Sequence, residues 1–177
     1  DWYKKWHKVS NIDYKKADIK WFEGGKLNIS FNCLDRHIEN GNGNKCAMIW
    51  EGNNPQEDKK FTYKELLNKV SIFANALKKI NVKKGDRVCL YMQMIPELTI
   101  AMLACARIGA VHSIVFGAFS PDSLSDRIND SACKVLITQD TGVRGSKMDI
   151  PMKENADKAL ISCSSIQNVI VVKRTAS

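Results

Sequence analysis

The run Arg107-Ile-Gly-Ala-Val-His-Ser-Ile-Val-Phe-Gly-Ala-Phe-Ser-Pro121 ends one helix, crosses a short apolar strand and opens a second helix. A chain that does this within fifteen positions is committed to strand–helix alternation. The same rhythm recurs on both sides of the run. Strand 88–92 leads to helix 97–108, which Pro96 opens and Gly109 closes. Strand 111–116 leads to helix 122–130, capped by Ser120 with Pro121 in its first turn. Strand 134–138, a loop at 139–149, a helix over 152–162 and a strand at 169–172 complete the series. Strands alternating with helices of this length predict an α/β fold: a Rossmann-like parallel sheet with flanking helices and right-handed crossovers. Ligands bind such sheets beyond the carboxyl ends of the strands. The segments 92–96, 116–119 and 138–147 are therefore expected along one edge.

Upstream the signals are weaker. Residues 1–35 read as an irregular covering segment in which Trp2, Tyr3, Trp6, Tyr14, Trp21, Phe22 and Phe31 alternate with lysines, as if to dock on a larger body. Asp35–Glu39 starts a short helix, 40–44 is a turn, and Cys46–Trp50 reads as a buried strand. Glu51–Lys60 reads as a polar loop. Thr62 with Glu65 forms a capping box, and Leu66, Val70, Phe73, Ala74 and Leu77 share one face of the helix it opens, which should end near Asn81.

Two clusters could carry chemistry. Thr141-Gly-Val-Arg-Gly-Ser-Lys147 places Arg144 and Lys147 three apart on a turn that Gly145 and Ser146 leave free to bend. Arg as a bidentate fork and Lys as a point charge can clamp a phosphate. The segment is not a P-loop, because the G-x-x-x-x-G-K-[ST] spacing is absent. At the end of strand 111–116, Phe116 is followed by Gly117 and Ala118, small residues that leave a ring face open for stacking. A base stacked on such a ring gains about 1–3 kcal/mol. His7, His37 and His112 are far apart, and His112 reads as a core histidine. The residues suggest no nucleophile, no general base and no metal set.

Composition excludes several classes. The 177 residues carry a net charge of +8, but the lysines are scattered rather than arranged in a stripe, so nucleic acid is not expected as a partner. No apolar run approaches the ~20 residues of a membrane span. The segment beginning at Asp1 has no apolar signal-peptide core, and the absence of an initiator Met reads as a piece of a longer chain. Six cysteines include no C-x-x-C pair, and Cys89, Cys105, Cys133 and Cys163 lie in apolar segments. That usage fits a reduced, cytosolic protein without zinc.

Several segments together resemble the AMP-forming acetyl-CoA synthetases, within the acyl-adenylate-forming family. They are 21–28, 31–37, 49–52, 82–88, 107–115 and 141–147, in family order, joined by Leu90–Glu97 and Ala101–Ala106. The resemblance runs over nearly the whole chain. It implies residues 1–35 as the family's N-terminal covering segment and 36–177 as the truncated first part of its AMP-binding domain. It implies an enzyme that joins acetate and ATP into acetyl-adenylate and then transfers the acetyl group to coenzyme A, with Mg2+ assisting. Phe116 would stack on the CoA adenine with Gly117 and Ala118 close by, and Arg144, Gly145, Ser146 and Lys147 would meet the nucleotide 3′-phosphate. Lys147 stands where the family often has arginine, and Ala118 where many members have glycine. The family's phosphate loop, acyl pocket, metal and ribose ligands and catalytic lysine lie further along, so this chain holds no catalytic residue. Partners are then small-molecule substrates and the remainder of the same polypeptide. The cytoplasm is the implied location, a nuclear pool being compatible with it. A propionate or other short-chain acyl ligase is the neighbouring alternative, and a stand-alone binding module the alternative of another class.

Overall fold

The computed structural model describes residues 1–175. In chain order the elements are β1 (Lys8–Asp13), β2 (Asp18–Glu23), α1 (Arg36–Glu39), β3 (Cys46–Trp50), β4 (Lys59–Thr62), α2 (Tyr63–Lys79), β5 (Arg87–Met92), α3 (Pro96–Ile108), β6 (Val111–Phe116), α4 (Pro121–Ser131), β7 (Val135–Gln139), β8 (Gly142–Arg144), β9 (Lys147–Ile150), α5 (Met152–Leu160) and β10 (Asn168–Val172). A wide helical turn, Phe31–Asp35, leads directly into α1.

The centre is a four-stranded sheet ordered β10-β7-β5-β6, every neighbouring pair parallel. Alternation along the strands divides their side chains between two cores. Val88, Leu90, Met92, Val135 and Ile137 join Leu66, Val70, Ala74 and Leu77 of α2 and Leu98, Ala101 and Ala104 of α3. On the other face Cys89, Tyr91, Val115 and Leu136 join Leu124 and Ile128 of α4 and Met152, Ala156 and Ala159 of α5. The α/β reading is thus observed, with helices on both faces of a parallel sheet. The order in which strands are added reverses at β5, since β6 lies to one side of it and β7 to the other. Beyond the strands' carboxyl ends, such a reversal opens a crevice.

The local signals act as read. Thr62 Oγ1 accepts from the Glu65 backbone N–H at 3.3 Å, and Glu65 Oε2 accepts from the Thr62 N–H at 2.8 Å, closing the capping box of α2. Gly109 terminates α3 with φ +76°, in the left-handed region that favours glycine. Ser120 accepts from the Ser123 N–H to start α4. The four cysteines expected in apolar surroundings are buried, whereas Cys33 and Cys46 are exposed. Burial pushes the Cys105 thiol up to about 12.

Five expectations are corrected. Residues 1–35 are not irregular, because β1 and β2 form an antiparallel hairpin. Their rings dock mainly on one another: Trp2, Trp6 and Phe22 lie with centroids 4.9–5.2 Å apart. Cys46–Trp50 is a strand but not a buried one, since it pairs only with β4 outside the main sheet. The polar loop is interrupted by a short 3₁₀ turn, Pro55–Glu57, and gives way to β4 at Lys59. The loop at 139–149 contains the β8–β9 hairpin. His112 is half-buried on the edge strand β6 rather than in the core, and that partial burial lowers its pKa.

The N-terminal segment is fastened to α3 by polar side chains. Asp35 and Arg107 form a bidentate pair with both N–H···O distances at 2.8 Å. Hydrogen bonding from Arg107 holds the Asp35 carboxyl below its ordinary pKa. Asn28 donates to the Ala106 and Arg107 carbonyls, which end α3, and accepts from the Ser30 and Phe31 N–H groups, which begin the next helical turn. Three segments that carry the family resemblance (21–28, 31–37 and 107–115) therefore meet at one joint.

Candidate functional site

Three strand ends and one distant loop build a groove of about 490 Å³ at the carboxyl edge of the sheet. Met92–Ile95 after β5, Ile114–Ala118 at the end of β6, and Val143–Gly145 in the β8–β9 hairpin line it, as the sheet rule predicts. Trp50–Asn53, after β3, supply a fourth wall that the sequence reading did not include. A second hollow continues past Ala118, Phe119 and the hairpin tip to Lys147 and Asn155.

The structure brings the sequence-predicted residues together. Phe116, Gly117, Ala118, Arg144 and Gly145 line the first groove; all of these except Phe116, with Ser146 and Lys147, line the second. Phe116 is 65% exposed although it ends a strand, so its ring is available to a ligand and is not core. Phe119 meets it edge-on at 6.0 Å. The turn between them is closed by Phe119 N–H to Phe116 O, and the Tyr91 hydroxyl donates to the Phe119 carbonyl from below. Gly117 is also constrained from beneath. A Cβ there would sit 3.1 Å from the Met92 carbonyl oxygen and 3.2 Å from Met152. A side chain there would crowd the packing under the turn, and of the two small residues only Ala118 is exposed beside the ring.

Arg144 and Lys147 are register partners across the hairpin. They flank the two-residue turn Gly145-Ser146, whose first residue has φ +58°, a pattern that suits glycine at that position of a type II′ turn. Both cations are exposed, and among the described residues neither has a carboxylate within ion-pairing distance. Two such charges on adjacent strands can grip a phosphate.

The hairpin is held from outside at both ends. At its base, Gln93 Oε1 accepts from the Val143 N–H at 2.8 Å, and Gln139 Nε2 donates to the Thr141 carbonyl at 2.8 Å. Gln139 is fully buried, and its Oε1 accepts from the Gln93 N–H. At the tip, the Asn53 carboxamide donates to the Gly145 carbonyl and accepts from the Gly145 N–H, both at 2.8 Å. The expected mobile turn is therefore a tethered one. Arg174 closes the far side: it pairs with Glu57 at 2.8 Å and lies 5.3 Å over the Trp50 ring, whose Nε1 donates to the Met94 carbonyl.

Sequence reading placed Gln93 and Gln139 in edge-lining segments without singling them out, and it missed Trp50, Asn53 and Arg174 at the site. Gln93 and Gln139 had a usable signal, since each stands at the end of an apolar strand where a buried polar group must find partners. Asn53 gave none, because it sits in a polar loop among other polar residues. Among the described residues no group of three His, Cys, Asp or Glu could hold a metal ion, and no helix is long and apolar enough to cross a membrane.

Comparison with known proteins adds the lineage. Residues 34–176 match the family model described as AMP-binding enzyme, and residues 1–33 match the acetyl-coenzyme A synthetase N-terminus model. An acetyl-coenzyme A synthetase of Magnetococcus marinus is 59% identical over 175 residues, 99% of this chain and 27% of the relative. Acetyl-coenzyme A synthetase 2 of Pseudomonas aeruginosa is 55% identical over the same shares. The corresponding protein of Saccharophagus degradans is 57% identical over 98% of this chain and 27% of its own length. The chain thus spans about a quarter of the length of the curated relatives it matches.

Proposed function

The chain belongs to the AMP-binding enzyme family, and from that premise we propose that the whole protein is an ATP-dependent acetate–CoA ligase. It joins acetate and ATP into acetyl-adenylate with release of pyrophosphate, then transfers the acetyl group to the CoA thiol with release of AMP. In this reading, residues 1–35 form the covering segment and 36–177 the first part of the AMP-binding domain. The piece contributes the CoA nucleotide site and no catalytic residue. Phe116 takes the adenine on its open face beside Gly117 and Ala118, while Arg144, Gly145, Ser146 and Lys147 take the 3′-phosphate.

One observation carries the reading: at the carboxyl edge of a parallel sheet, an exposed ring lines one groove, Lys147 lines the adjoining one, and Arg144 lines both, neither cation having an ion-pair partner among the described residues. The described residues do not fit a magnesium ion, so the proposal places Mg2+, with ATP, on the remainder of the polypeptide. Small molecules are the partners, without nucleic acid or membrane. The buried free thiols fit the cytoplasm, and no feature favours a nuclear pool. Nor does any feature favour propionate over acetate.

Acetate-dependent ATP–pyrophosphate exchange by the whole protein tests the activity. Exchange with acetate preferred over propionate is expected, and none from residues 1–177 alone. Exchange with neither acid would overturn the ligase reading. For the site, Arg144→Ala in the whole protein should raise the KM for CoA about tenfold or more, the scale of a lost charge-assisted contact, with little change for dephospho-CoA. Equal weakening of both would remove Arg144 from the 3′-phosphate.

A further inference from the structure

We propose that Asn53 is a positioning residue of the phosphate clamp, fixing through Gly145 the turn that presents Arg144 and Lys147. The inference rests on the CoA-site reading above and assigns a role that neither the family match nor the groove lining gives.

Hairpin geometry makes such a tether necessary. Strands β8 and β9 have three and four residues and, among the described residues, pair only with each other. A two-stranded hairpin alone is marginal in water, and this one lies at the short end of the usual range. Gln93 and Gln139 hold its base, but their bonds reach only Thr141 and Val143. Gly145, in the left-handed region with open space where a Cβ would be, is the position most able to change conformation. Asn53 bonds both polar groups of that single residue, so its carboxamide pairs with Gly145 as a neighbouring strand's peptide would. The turn can then neither flip nor swing away without breaking both bonds.

The chemistry of the tether matters as much as its geometry. Asn53, Gln93 and Gln139 are all carboxamides. An aspartate at position 53 would still accept from the Gly145 N–H, but its charge would lie beside Arg144 and compete with a phosphate for it. A neutral amide orders the turn and leaves both cations to the ligand. Ordering them beforehand removes part of the entropic cost of binding, which is where affinity is gained.

Asn53 is anchored independently of its neighbour. Asn54 caps the following 3₁₀ turn by accepting from the Gln56 N–H at 3.1 Å and has no bond to the hairpin. It is therefore a control within the same loop.

The experiment uses the whole protein and compares Asn53→Ala, Asn54→Ala, Arg144→Ala and the Asn53→Ala/Arg144→Ala double variant. The readouts are KM for CoA and for dephospho-CoA, and acetate-dependent ATP–pyrophosphate exchange. Asn53→Ala should raise the CoA KM about tenfold, as expected for one or two ordinary hydrogen bonds, and the dephospho-CoA KM less than about twofold. Exchange and Asn54→Ala should stay at wild-type values. The double variant should fall short of the combined effect of the two single variants, because one of the two cations that the tether positions is already gone. If Arg144→Ala separates CoA from dephospho-CoA but Asn53→Ala does not, the positioning role is overturned and the clamp stands. A matching effect from Asn54→Ala, or full additivity in the double variant, would reduce Asn53 to general loop order and also overturn it. If Arg144→Ala fails to separate the two ligands, the clamp reading falls and this inference falls with it.

Discussion

The two hairpins, β1–β2 and β8–β9, are ordered in opposite ways. The first has six residues in each strand, a turn in which Asp13 accepts from the Lys15 and Lys16 N–H groups, and a cluster of Trp2, Trp6 and Phe22 at its base. It supplies most of its own contacts. The second is half that size, exposes its tip, and borrows its order from Gln93, Gln139 and Asn53. A hairpin that only has to be present can hold itself together by backbone and rings. The second leaves both its cations uncovered by its own packing, so its order comes from neutral groups elsewhere.

The largest test of that contrast is Gln139→Ala. It deletes a fully buried side chain and leaves the Gln93 N–H and Thr141 carbonyl unpaired, at a cost of about 2–4 kcal/mol. Denaturant unfolding should show the loss, and hydrogen exchange at Val143 should quicken well beyond exchange in β1–β2. Equal protection of both hairpins in the variant would mean the tethers are not what orders β8–β9.

A smaller effect is expected where the first hairpin meets the body. Asp35→Asn removes one partner of the bidentate pair and should cost about 1–2 kcal/mol at a site less than a third exposed. Its acid dependence has a definite sign. Because the carboxyl pKa is lowered in the folded chain, the pair's contribution is complete above the ordinary value of 3.8 and is lost as pH falls through the folded value. Asp35→Asn should therefore flatten the acid limb of the stability profile, and CoA selectivity should not move. Trp6→Ala should cost about 1 kcal/mol, since it removes two edge-on ring contacts, and calorimetry should place that loss in the N-terminal segment alone. The smallest change is Lys147→Arg. A fork in place of a point charge should tighten CoA only about two- to threefold in a binding titration, with dephospho-CoA unaffected.

Much of this was legible because local rules were not in conflict. The Thr62 box, Pro96, Gly109 and Ser120 punctuate elements whose apolar positions already fit one period, and those boundaries emerge within a residue or two. The placement of Phe116, Arg144 and Lys147 along one edge was legible because a parallel sheet fixes where its loops must go. The hairpins were not. The first hides its strand alternation under lysines and rings that point both ways, and the second is too short to show any period. The tethers were the least visible, since an amide in a loop acquires meaning only from what folds against it.

Asn53 and Gly145 lie 92 positions apart, and three strands of the central sheet form from the chain between them. Closing so long a loop is entropically unfavourable until the intervening chain is already compact. The tie at the hairpin tip is accordingly expected to form late in folding, and a chain with a finished core but an open tip would be nearly native while lacking the proposed phosphate clamp. Binding competence at this edge would therefore report the completion of folding more sharply than helix content or core burial does.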